Sequence, residues 1–147
     1  MILDLSSLQK AISQLEEAIE YCQSDLAKND ARMAQHLRAA AIQAFEFTYE
    51  LSYKMLKRFL EATEPNPASV DEMSFNEIIR KGFEKGLLQS ELADWKEFRK
   101  DRGTTSHTYN EDKARDVFEC IPKFFVEAKF LFTQIQKRQA EQQMGLN

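Results

Sequence analysis

Phe45-Glu-Phe-Thr-Tyr-Glu-Leu-Ser-Tyr-Lys-Met-Leu-Lys-Arg-Phe59 is the stretch on which the fold turns. Its apolar residues recur at intervals of three and four, the spacing of a helix face. Extended from Ala31 to Glu61, the pattern predicts one helix roughly 45 Å long at 1.5 Å per residue. One stripe on it holds Leu37, Ala41, Ala44, Thr48, Leu51 and Met55. A second holds Phe45, Tyr49, Ser52, Leu56 and Phe59. Two adjacent stripes need cover on more than one side, as at the centre of a bundle or at a subunit interface. Ala39, Ala40 and Ala41 leave room for a neighbour. A face this wide predicts a homodimer through this helix and the last one.

The segments on either side repeat the theme. Leu5, Leu8, Ile12, Leu15, Ile19, Cys22 and Leu26 form one seam, opened by a Ser6/Gln9 capping box and broken at Asn29 and Asp30. Residues 63–71, with two of the three prolines, read as a loop. A short helix follows, opened by Ser74 and Glu77, with Phe75, Ile78, Ile79 and Phe83 inward and Gly86 as its stop. The next begins at Ser90, points Leu92, Trp95 and Phe98 inward, and sets Lys96, Arg99, Lys100 and Arg102 outward. Asn110 caps the last helix, whose stripe runs Ala114, Val117, Phe118, Ile121, Phe125, Ala128, Leu131 and Ile135. Pro122 kinks it by removing one hydrogen bond, and the polar tail from Gln136 frays. The expectation is an all-α, up-and-down antiparallel four-helix bundle with an extra short helix, one domain over residues 1–147.

Composition narrows the chemistry. A chain of 147 residues can bury a sizeable core without metal or disulfide help. Net charge is −4, too mild to mark an overall nucleic-acid binder, yet residues 80–102 carry seven Lys/Arg against five Asp/Glu. Cys22 and Cys120 fall on apolar stripes, as buried thiols of a reduced compartment would. No apolar run approaches the ~20 residues of a membrane span, and no signal segment follows Met1. A cytoplasmic protein is expected. Neither Gly-x-Gly-x-x-Gly nor Gly-Lys-Ser/Thr occurs, and His36 and His107 lie far apart with two distant cysteines. No nucleotide cofactor and no metal are expected, and His36 reads as an ordinary helix-surface or packed histidine rather than a ligand.

One stretch stands out from this helical background. In Arg99-Lys-Asp-Arg-Gly-Thr-Thr-Ser-His-Thr-Tyr109 the helical pattern stops at Arg102, and Gly103 permits backbone angles other residues resist. A permanent cation, an imidazole and a phenol then fall within eight residues. A polar turn between helices needs nothing more. The same residues also suit metal-free RNA cleavage, in which a histidine moves the 2′-hydroxyl proton and an arginine steadies the phosphorane. A two-fold axis bringing two such turns together would supply both a base and an acid, and Lys96, Arg99 and Lys100 would hold the phosphate backbone.

With its helical context, Arg102-x4-His107-x-Tyr109 resembles the nucleotidyltransferase substrate-binding-like proteins, a branch of the HEPN/HepT-like bundles. The resemblance covers essentially the whole chain. It implies a homodimer encoded beside a small nucleotidyltransferase. In toxin–antitoxin members of the group it implies a metal-independent RNase, with Arg102 and His107 catalytic and Tyr109 the acceptor of AMP from the partner. Many active HEPN nucleases carry Asn, Asp or His directly after the arginine, where this chain has Gly103. The second reading is therefore a non-catalytic accessory subunit that binds substrate for the nucleotidyltransferase.

Overall fold

A computed structural model describes residues 2–107 and 110–145. The chain forms α1 (Ser6–Cys22), α2 (Asp25–Asn29), α3 (Ala31–Thr63), α4 (Pro67–Asp71), α5 (Phe75–Glu84), α6 (Leu92–Gly103), a 3₁₀ turn (Thr105–His107) and α7 (Glu111–Gly145). The protein is all-α, a bundle whose long members α1, α3 and α7 pack on one another while α6 lies against α3 and α7. The extra short helix is α5. Two further single turns, α2 and α4, and the 3₁₀ turn add to the expected set.

The differences have local causes. Asp4, not the Ser6/Gln9 pair, opens α1: its Oδ1 accepts from the Ser6 amide at 2.9 Å and the Ser6 hydroxyl at 2.7 Å. The seam expected to reach Leu26 stops at Cys22, because the Ser24 hydroxyl donates to the Tyr21 carbonyl at 2.6 Å and Ser24 is extended. A side chain that competes for helix carbonyls ends the helix there, and Leu26 is half exposed. Asp30 then starts α3 by accepting from the Arg32 and Met33 amides at 3.0 and 3.1 Å. At 33 residues α3 spans about 50 Å. Both of its stripes are largely buried, with Ala41, Phe45 and Leu56 fully so, and Leu60 and Ile42 are buried beside them.

Within residues 63–71, Pro67 opens the one-turn α4 and Val70 is buried. Proline suits a first helical position, where its missing amide is not needed. Ser74 caps α5 as expected, its Oγ accepting from the Glu77 amide at 3.2 Å. Gly86 adopts φ +75° at the end of α5, with the Leu87 amide bonded to the Gly82 carbonyl at 2.9 Å and that of Gly86 to Phe83 at 3.0 Å. That is the Schellman pattern, which needs a residue at ease with positive φ. Arg138 of α7 donates to the Lys85 carbonyl and completes this end. The inward place expected for Phe83 belongs to Gly82. A Cβ there would stand 3.0 Å from the Leu88 side chain and 3.1 Å from that of Leu56, so α5 packs with little space to spare at this position, and Phe83 faces out.

Glu91, not Ser90, is the N-cap of α6, and its amide donates to Asp94 at 3.3 Å. The Ser90 amide is engaged elsewhere. Glu127 of α7, fully buried, accepts from the Gln89 amide at 3.0 Å, the Ser90 amide at 2.9 Å and the Trp95 indole at 2.8 Å. Phe124, one turn earlier, is the aromatic centre of the core. Its ring meets Phe45, Trp95 and Phe98 edge-on at centroid distances of 5.3, 5.9 and 5.2 Å. Asn110 caps α7 as expected, accepting from Asp112 and Lys113 at 2.9 and 3.3 Å. Helical backbone continues on both sides of Pro122. Helix α7 runs on to Gly145, and buried Gln139 ties it to the N-terminal segment by accepting from the Leu3 amide at 2.7 Å and donating to its carbonyl at 3.3 Å. Both cysteines are free thiols and only half-buried. No helix among the described residues is long and apolar enough to cross a membrane.

Candidate functional site

The residues singled out in the sequence occupy the C-terminal end of α6 and the turn after it. Helix geometry carries α6 through Gly103, one residue further than the pattern foretold. Gly103 has no positive φ, and a Cβ there would meet nothing within 4 Å. No special backbone freedom is needed at this position. Thr104 and Thr105 close the helix by donating to the Asp101 and Arg102 carbonyls at 2.9 and 2.8 Å. A tight 3₁₀ turn over Thr105–His107 follows. His107 is exposed on it, its amide donating to the Thr104 carbonyl at 2.9 Å. The turn rests on α3, α6 and α7. Tyr109 lies outside the described residues.

Arg102 does not point outward with its neighbours. It leans across to α3, where its Nη2 is ion-paired with Glu46 at 3.3 Å and, more closely, with Glu50. Nη1 donates to the Thr105 hydroxyl at 3.5 Å, and Nε is buried with no acceptor among the described residues. The side chain keeps 28% of its surface exposed. The Glu50 hydrogen bond holds the guanidinium above its already high ordinary pKa. Behind it, burial pushes the Tyr49 phenol up to about 12, against the opposing pull of Arg99 and Arg102.

The basic residues upstream divide between surroundings. Lys96 is exposed. Arg99 lays its guanidinium over the Phe75 ring, 4.5 Å from the centroid. Lys100 lines a cleft of about 580 Å³ between α6 and α7, with Asp94, Asp101, Lys113, Cys120 and Lys123. There Asp94 pairs with Lys123 at 2.6 Å. Burial and Asp101 push the Cys120 thiol far up, so it is not a poised nucleophile. A groove of about 610 Å³ between α1 and α3 carries exposed Tyr21 and Phe47. His36 sits exposed on α3 in a shallow hollow beside Glu111. No group of three or more His, Cys, Asp or Glu among the described residues is placed to hold a metal.

Comparison with known proteins matches residues 3–137 to the model of the family "nucleotidyltransferase substrate binding protein like". The chain belongs to that family. A Haemophilus influenzae protein named "probable ribonuclease HepT" is 40% identical over 102 residues, 69% of each chain. A solved Haemophilus influenzae structure, said to reveal the fold of a substrate-binding domain of a nucleotidyltransferase, superposes with a TM-score of 0.84. It is 33% identical, over 90% of this chain and 99% of the other. A crystal structure from Thermus thermophilus gives a TM-score of 0.64 at 26% identity, over 87% of this chain and 98% of the other.

Glu46 and Glu50 are not among the site residues that the sequence pattern singles out. They lie one turn apart on α3, more than fifty residues before Arg102, and only the packing of α6 against α3 brings them together. The visible signal is two carboxylates one helical turn apart beside an otherwise apolar run.

Proposed function

We infer that this family member is the HEPN-type half of a two-gene toxin–antitoxin module, a metal-independent endoribonuclease acting as a homodimer. The observation that carries the reading is Arg102, a partly exposed guanidinium at the end of α6, five residues before exposed His107. The 40% identity to a probable ribonuclease supports it. In the step proposed, one His107 takes the ribose 2′-hydroxyl proton and the 2′-oxygen bonds to phosphorus. The bond to the 5′-oxygen breaks, and His107 of a second copy protonates that oxygen. Arg102 steadies the charge on the phosphorane. The products are a 2′,3′-cyclic phosphate and a 5′-hydroxyl. Exposed Lys96 and Lys100, with Arg99, would track the RNA backbone. More than half of the Phe47 surface is exposed on α3, which supports a dimer through that helix.

The partner is a small nucleotidyltransferase encoded by the adjacent gene. It transfers AMP from a nucleoside triphosphate to the Tyr109 hydroxyl as pyrophosphate leaves. The attached phosphodiester would compete for Arg102 and its nucleoside would obstruct RNA. A second reading, an accessory subunit without turnover, is favoured by the engagement of Arg102 by two carboxylates. RNA cleavage in EDTA, beside His107→Ala and Arg102→Ala, separates the two. The nuclease reading expects cleavage by the native chain and a loss of roughly 100-fold or more in His107→Ala. Equal rates in all three leave the accessory role. Intact-mass analysis after co-expression with the partner tests Tyr109: adenylate-sized increments absent in Tyr109→Phe are expected.

A further inference from the structure

The ion pairs around Arg102 say more than that the residue is held. An arginine grips a phosphate with two parallel N–H bonds along one of two edges, Nη1/Nη2 or Nε/Nη2. Nη2 is common to both, and it is Nη2 that Glu46 and Glu50 occupy. Nε is also buried, so the second edge is closed twice. Two carboxylates against one guanidinium leave a local charge of −1 facing any incoming anion. Glu46 and Glu50 keep 40% and 55% of their side-chain surface exposed, so either can swing into water without unpacking the core.

We propose that Glu46 and Glu50 are a displaceable stand-in for phosphate, holding Arg102 closed until an RNA phosphate takes the place of the Glu50 carboxylate. This rests on the ribonuclease reading for the identity of the anion. The pair is a positioning device that touches no substrate. It sets a threshold: single phosphates and weakly held RNA do not open the clamp, whereas an RNA anchored along its backbone does. Displacement also has an ionic signature. When Glu50 is released it takes up a cation, which offsets the one Arg102 strips from the RNA, so Arg102 adds nothing to net counterion release.

The test is binding of a short fluorescent single-stranded oligoribonucleotide across a salt series, for the native chain, Glu50→Gln, Glu46→Gln/Glu50→Gln and the same double variant with Arg102→Ala. The double glutamine variant is expected to bind roughly two- to fivefold more tightly, the range an exposed ion pair supplies. Its plot of log affinity against log salt should steepen by about 0.7, and the added Arg102→Ala should restore the native slope. A loss of bulk negative charge alone would raise affinity without that dependence on Arg102. Glu50→Gln, at an exposed position, should show the same effect in smaller measure. Unchanged or weaker binding with an unchanged slope overturns the proposal, as does no binding by any variant. Cleavage is followed in parallel. Tighter binding without cleavage overturns the nuclease reading alone, and cleavage dependent on Arg102 with no effect of the glutamines overturns the clamp alone.

Discussion

The two ends of α6 each carry a charged contact to a neighbouring helix, and they are built in opposite ways. At the start, Glu127 reaches from α7 into a fully buried site and accepts three hydrogen bonds, from two backbone amides and the Trp95 indole. At the end, Arg102 reaches toward α3 with part of its surface in water, doubly paired through one nitrogen and with no acceptor for another among the described residues. A buried acceptor with every partner in place is costly to disturb, because removing it strands donors away from water. A half-exposed pair can exchange one partner for another at little cost. The same helix is thus held at its start by a buried, fully partnered carboxylate and at its end by ion pairs that water can reach.

Glu127→Ala should give the largest effect, a loss of about 3 kcal/mol or more of stability, since the indole and two amides are left buried and unpaired. Urea unfolding followed by circular dichroism measures it, and a loss under about 1 kcal/mol would erase the contrast between the two ends. Trp95→Phe removes one donor and keeps most of the ring, with an expected loss of about 1–2 kcal/mol in the same assay. A larger loss would move the weight of the anchor from hydrogen bonding to packing against Phe124. Arg102→Ala, at the latched end, should change stability by no more than about 1 kcal/mol. If it proves as damaging as Glu127→Ala, the latch is structural. Gly103→Ala is the smallest and opposite in sign. With helical backbone and nothing near the added Cβ, it should stabilise by about 0.5–1 kcal/mol. Destabilisation there would show that the turn needs glycine after all.

How far the sequence shows this arrangement depends on how local each cause is. The stripes of α3, the Ser74 and Asn110 caps and the Gly86 stop all act within about five residues, and all stand where the pattern puts them. In α7 the buried seam is Ala114, Val117, Ile121, Phe124, Ala128, Leu131 and Ile135, with Phe118 and Phe125 on its flank. Several aromatics adjacent in the chain made the stripe ambiguous by one position, and the ring at the centre of the core was the one passed over. Glu127 could not be found from an apolar pattern, because its burial is licensed by donors more than thirty residues away. Of the site, Arg102 and His107 were legible as residue types. That Arg102 turns toward α3 was not, since its partners are set by the packing of helices distant in sequence.

The link between α5 and α6 has a property its lack of helix conceals. Arg138 holds the Lys85 carbonyl and Glu127 holds the Gln89 and Ser90 amides, so α7 grips this connector at both ends. The amide protons of Gln89 and Ser90 can trade with solvent deuterium only when Glu127 releases them. Their exchange should therefore keep pace with the opening of α7, as part of one cooperative unit with it, and lag far behind that of an ordinary surface turn.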